Sequence, residues 1–175
     1  MKGSIVDAIK DLITEFFGRE EWLKVLENAN IDRNTHFGIK QDIPDEVVLS
    51  IIDSISKTLK LSQLEVIDAF GEYWASVYTP KVYKPYYRGI RSAKELITRL
   101  DEIHQKVIHD IPNAKPPRFE YKWENENTLI MKYKSFRNLI LIFIAVLKGL
   151  AKHYKTPLEI EQISENEVRI IFPPE

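Results

Sequence analysis

Tyr133, Ser135 and Arg137 place two hydroxyls and one guanidinium at a spacing of two residues. They stand where a segment from Thr128 to Lys134, alternating Leu129, Met131 and Tyr133, runs into a strongly apolar helical pattern. On an extended segment, residues two apart point the same way, so the three groups would converge. Such a set donates hydrogen bonds around a fixed positive charge, and the planar guanidinium matches a carboxylate or phosphate. The same residues also suit an ordinary solvated strand end. Which reading holds depends on whether the rest of the chain calls for an anionic partner.

His104 bears on that choice. It follows Leu100 by four residues and Ile97 by seven, so it shares the apolar face of its helix. A histidine there is either a core imidazole bonded to a carbonyl or a lone axial metal ligand. One imidazole cannot hold a free transition metal, because such sites need three or four ligands. It can hold a metal whose other positions are filled, and haem iron is that case. Haem also brings two propionate carboxylates, for which Tyr133, Ser135 and Arg137 would form the clamp.

The elements that must position these groups change character along the chain. Ile5, Ile9, Leu12 and Phe16 recur at helical spacing until Gly18, and a second helix covers about Glu20 to Asn28. Residues 30–42 read as a loop. Pro44 opens a helix through Thr58, and Ser62 with Glu65 forms a capping box for a helix reaching about Tyr78. Residues 79–89 read as a packed, partly irregular connection. Ser92 caps a long helix to about Asp110, with Leu96, Leu100, Ile103, Val107 and Ile111 on its apolar face. After Pro116-Pro117 the period becomes two. Phe119, Tyr121 and Trp123 form one strand and Leu129 to Tyr133 its return, followed by a helix from Phe136 to about Tyr154. Leu158, Ile160 and Gln162 then pair with Val168, Ile170 and Phe172. The expected fold is α+β: a helical N-terminal subdomain (1–60), then proximal helices and a four-stranded antiparallel sheet with one long helix (61–175), in a single domain.

Composition narrows the function. The chain has 175 residues, 25 basic and 26 acidic, for a formal net charge of -1, so no basic field or stacking platform points to nucleic acid. The absence of cysteine excludes disulfides, thiolate zinc, iron–sulfur clusters and thiolate-ligated haem. Asp7 interrupts any signal-peptide core, and the longest apolar run, Leu139 to Leu147, is too short to cross a bilayer. A soluble cytoplasmic protein with no membrane partner is expected. His36, His109 and His153 fall in loop or polar-face positions, and no nucleophile triad or phosphate loop is present, so catalysis is not expected.

With these residues in view, the chain resembles the H-NOX family of haem-binding nitric oxide/oxygen sensors, which includes the haem sensor domain of soluble guanylate cyclase. The resemblance covers nearly the whole chain. It lies in the Met1-Lys2-Gly3 start, Ala69-Phe70-Gly71-Glu72-Tyr73-Trp74, Asp101-Glu102-Ile103-His104, Pro116-Pro117-Arg118, and the Tyr-x-Ser-x-Arg motif at 133–137. It implies haem b held between the two subdomains. It further implies His104 as the axial iron ligand, Tyr133, Ser135 and Arg137 on the propionates, and Pro117 pressing on the macrocycle to distort it.

In oxygen-binding relatives a distal tyrosine lies five residues after the motif arginine; here that position is Ile142. Ile5, Ile9, Trp74, Ile142 and Val146 are the expected distal pocket, with Trp74 filling space. A wall without a hydroxyl donor implies a sensor for nitric oxide that also takes carbon monoxide and excludes oxygen. The resemblance implies signalling to a separate protein such as a histidine kinase or cyclic-dinucleotide enzyme, by release of His104. The alternatives are an oxygen binder using a non-standard donor such as Trp74, Tyr73 or Tyr78, a haem storage or delivery protein, and a carboxylate-binding module without haem.

Overall fold

The computed structural model describes residues 1–174 and has an α+β architecture of helices followed by a four-stranded antiparallel sheet. Its contacts divide the chain into two units, Met1–Phe70 and the described residues from Gly71 onward. The boundary falls inside a helix, at 70/71 instead of the expected 60/61.

The first unit is helical: α1 (Gly3–Phe17), α2 (Arg19–Asn28), α3 (Asp45–Leu59) and most of α4 (Gln63–Tyr73). Val6, Ala8, Ile9, Leu12 and Ile13 make the buried face of α1, as their spacing requires. Pro44 stands just before α3, whose first turn carries Asp45 and Glu46 at the positive end of the helix dipole. The expected capping box is present: Ser62 Oγ accepts from Glu65 N–H at 3.3 Å, and Glu65 accepts from Ser62 N–H at 2.8 Å.

In the second unit α4 passes into a π-helical turn, Trp74–Tyr78, then α5 (Thr79–Val82) and a 3-10 turn, Lys84–Tyr87. The segment expected to be irregular is therefore largely helical. Ser92 Oγ caps α6 (Ala93–Thr98) by accepting from Glu95 N–H at 3.1 Å. The helix expected to run unbroken to Asp110 stops at Arg99, whose φ/ψ of -102/2 leaves the α region, and restarts as α7 (Leu100–Asp110).

Strands β1 (Arg118–Asn125), β2 (Thr128–Lys134), β3 (Glu159–Gln162) and β4 (Glu167–Ile171) pair in the order β1-β2-β4-β3, all antiparallel. Helix α8 (Ile140–His153) begins four residues later than the apolar pattern suggests. Leu129, Met131, Tyr133, Val168, Ile170 and Phe172 form one buried sheet face against Phe143, Leu147 and Leu150 of α8 and Leu96 and Ile97 of α6. Burying side chains of this size contributes about 1.5–3 kcal/mol each, so this core holds the sheet and α8 as one body. Among the described residues no helix is long and apolar enough to cross a membrane.

Candidate functional site

His104 lies on α7, half-buried, with its ring 5.4 Å from that of Phe119. Its Nδ1 is 2.6 Å from the carbonyl oxygen of Pro117. A carbonyl can only accept, so Nδ1 carries the proton and Nε2 keeps its lone pair. Burial pushes the imidazole pKa below its usual 6.5, opposed by the bond to Pro117, which favours the neutral ring. A neutral imidazole with one nitrogen tied to a carbonyl and the other left with a lone pair is what a metal takes as a ligand. Among the described residues no group of three or more His, Cys, Asp or Glu side chains could hold a bare metal ion. A metal at Nε2 would have to arrive with its other positions filled.

The helix bearing His104 is pinned to β1. Asp101 accepts from Arg118 Nε at 2.7 Å and Nη2 at 2.8 Å, and from the Phe119 N–H at 2.8 Å. The Arg118 hydrogen bond is the chief cause holding the Asp101 pKa down at about 2, against an ordinary 3.8. A carboxylate depressed on folding stabilises above its unfolded pKa and loses that contribution as pH falls through the folded one. The loss should run from about pH 4 towards pH 2. Asp101→Asn is expected to flatten this part of an acid-unfolding curve followed by circular dichroism; an unchanged acid limb would contradict it.

Tyr133 stands next to the end of β2 with its ring buried, 6.0 Å from Phe119 and 5.7 Å from Phe143. Its hydroxyl has no hydrogen-bond partner among the described residues. Ser135 and Arg137 do not continue the strand, as the spacing predicted. Ser135 Oγ accepts the Arg137 N–H at 3.2 Å, and Asn138 takes a positive φ of 51° that asparagine tolerates. Within this turn the Arg137 guanidinium stacks on the Phe136 ring at 4.3 Å and donates to the Lys115 carbonyl at 3.0 Å.

One short segment therefore joins the predicted residues. Lys115 receives Arg137, Pro117 receives His104, and Phe119 packs against His104, Tyr133 and Phe143. The sequence reading named Pro117 alone. Positions 115, 117 and 119 share the two-residue period of an extended segment, a signal that could have drawn Lys115 and Phe119 in.

The expected distal residues are apolar where the structure places them. Ile142 and Val146 are half-buried on α8, and half-buried Trp74 stacks on Tyr78 at 5.3 Å within the π-helical turn. Ile9 is buried and Ile5 half-buried on α1, in the first unit. His36, His109 and His153 are all exposed, as their polar contexts imply.

A model of the Haem-NO-binding family matches residues 2–162. The chain belongs to that family. As a haem-NO-binding domain it is similar to soluble guanylate cyclase gcy-34 of Caenorhabditis elegans, 24% identical over 156 residues, covering 87% of this chain and 23% of the cyclase. The C. elegans cyclase gcy-32 matches at the same identity and coverage. The chain thus spans about a quarter of the length of these relatives. Solved structures with the same fold include an oxygen-binding H-NOX domain in its oxygen complex, at TM-score 0.86 and 22% identity over 99% of this chain and 96% of that one. Another is an H-NOX protein from S. oneidensis in the Fe(II)NO state, at TM-score 0.87 and 18% identity over 98% of each chain.

The donors of this haem-NO-binding domain fit the group its family carries. An imidazole with a lone pair at Nε2, a tyrosine hydroxyl without a partner among the described residues and a stacked guanidinium complement an iron and two carboxylates.

Proposed function

We propose that this domain is a gas sensor that binds nitric oxide and carbon monoxide at ferrous haem b, excludes oxygen, and signals to a separate protein when His104 leaves the iron. The observation that carries this reading is the 2.6 Å bond from His104 Nδ1 to the Pro117 carbonyl, which orients Nε2 as an axial ligand. His104 would hold the ferrous haem, which would supply a gas-binding iron and an iron–imidazole bond open to competition by nitric oxide.

The chain's own residues do the rest. Tyr133, Ser135 and Arg137 hold the propionates, the guanidinium supplying charge and the hydroxyls direction. Pro117 fixes the His104 tautomer through its carbonyl while its rigid ring presses on the macrocycle. Ile142, Phe143 and Val146 on α8 have no side-chain donor, which disfavours oxygen, whose bound form gathers negative charge and needs one. Trp74, in the same unit, fills space beside them. Once released, His104 no longer ties α7 to the iron, and α7 has two positions that a ligand biases. A histidine kinase or a cyclic-dinucleotide enzyme is the proposed class of partner. This sensing role, in the cytoplasm and without catalysis by the domain itself, is favoured over haem storage by the tight fixing of the single ligand.

The deciding measurement is an anaerobic absorption spectrum of the reduced protein, before and after nitric oxide, with air in a parallel sample. We expect a His104-bound spectrum, a His104-released spectrum with nitric oxide, and no stable oxygen spectrum. A stable oxygen spectrum would refute exclusion and point to a donor such as Trp74 or Tyr78. A colourless protein from haem-replete cells would refute the whole reading.

A further inference from the structure

In a continuous α-helix the N–H of residue 101 would donate to the carbonyl of residue 97. Here that pair is split by a side chain. The Tyr121 hydroxyl, from β1, accepts the Asp101 N–H at 2.9 Å and donates to the Ile97 carbonyl at 3.2 Å. It thus stands in for the missing rung of the ladder at the point where α6 ends, Arg99 leaves the helical region, and α7 begins. A group inserted into the helical ladder is one of the few causes of a sharp helix break. Burial raises the Tyr121 pKa to about 12, so the hydroxyl keeps the proton it needs to bridge both groups.

The two sides of the break are anchored unequally: α6 sends three residues into the core and α7 only Ile103. Ala93, Leu96 and Ile97 of α6 are buried in the core that includes α8. Helix α7 packs on β1, where Asp101 accepts the Phe119 N–H, and His104 is bonded to Pro117 just before the strand. The joint at Arg99 lies little more than one turn before His104.

We propose that Tyr121 is a positioning residue for His104: its hydroxyl holds the α6–α7 ladder open as a hinge, letting α7 move while α6 stays in the core. This rests on His104 being the iron ligand. Without the hydroxyl, the Ile97 carbonyl is the acceptor that a continuous helix offers the Asp101 N–H. The ladder closes, α7 becomes a stiff extension of α6, and His104 is released less readily.

Tyr121→Phe keeps the ring and removes the bridge. In the haem-loaded variant, nuclear magnetic resonance should show a through-hydrogen-bond coupling from the Asp101 amide nitrogen to the Ile97 carbonyl that the unmodified protein lacks. The ratio of His104-released to His104-bound protein under nitric oxide should fall about fivefold, the weight of one ordinary backbone hydrogen bond. An absent coupling, or an unchanged ratio in a variant that binds haem normally, would overturn the hinge and leave the sensor reading standing. In the unmodified protein, the Tyr121 hydroxyl proton should exchange slowly and show a cross-peak to the Asp101 amide. Its absence would overturn the proposal even if the variant does not fold. Unmodified protein that takes up no haem would sink the sensor reading, and the hinge with it.

Discussion

A His104→Gly protein is expected to hold haem at least ~100-fold more weakly than the unmodified chain, and free imidazole should restore the spectrum. Removing a partner one bond beyond a metal ligand typically costs 10–100-fold, so removing the sole ligand should cost no less. The substitution also strips the Pro117 carbonyl of its 2.6 Å donor and opens space beside Phe119; imidazole can refill both. Titrating the haem-free protein with haem, with and without imidazole, checks this by absorption. The same protein tests the signal. An imidazole not joined to α7 cannot pull on it, so the partner's activity should stop responding to nitric oxide. A rescued protein that still switches its partner as the unmodified one does would show that release of His104 is not the trigger.

The family was legible because the resemblance rests on residue types that few other roles explain together. His104 on an apolar face and a hydroxyl, hydroxyl, guanidinium series at 133, 135 and 137 survive any uncertainty about element boundaries. The strands were legible for a different reason: Leu129, Met131 and Tyr133 alternate cleanly, and that face is the buried one. What the pattern could not show is where tertiary contacts override local preference. The apolar run after Arg137 reads as helix from Phe136, yet Ser135 accepting the Arg137 N–H and the positive φ of Asn138 turn the chain first, delaying α8 to Ile140. Likewise Leu96, Leu100, Ile103 and Val107 form one unbroken helical stripe. The break at Arg99 comes from Tyr121, a residue distant in sequence whose hydroxyl outcompetes a helical bond. Lys115 did not stand out, since a lysine before two prolines is ordinary in isolation, and Asp101 entered only as part of the motif that ends at His104.

Gly149→Val is expected to destabilise the domain by about 3 kcal/mol or more, at or above the upper end of overpacking costs. A Cβ at Gly149 would lie 2.7 Å from the Gly71 carbonyl oxygen and 2.8 Å from Glu72 Cα; one at Gly71 would lie 2.4 Å from the Ala145 carbonyl carbon. Most of these neighbours are backbone atoms, which cannot rotate aside, so α8 and the last turn of α4 would have to separate. Because Leu147 and Leu150 of α8 are fully buried, separation would loosen their packing as well. At roughly 2–4 °C per kcal/mol for a chain of this size, the melting temperature should fall by about 10 °C. Gly38→Ala is the control: its Cβ would meet only the Gln41 side chain, at 3.8 Å. Equal losses in thermal unfolding of the two variants would mean that glycine content, not close approach, governs stability. A loss confined to Gly149→Val would locate the constraint at the crossing itself. That crossing also fixes where three of the proposed distal residues stand: one helix continues into the π-helical turn bearing Trp74, and the other carries Ile142 and Val146. A spacing set backbone to backbone leaves these side chains little room to drift.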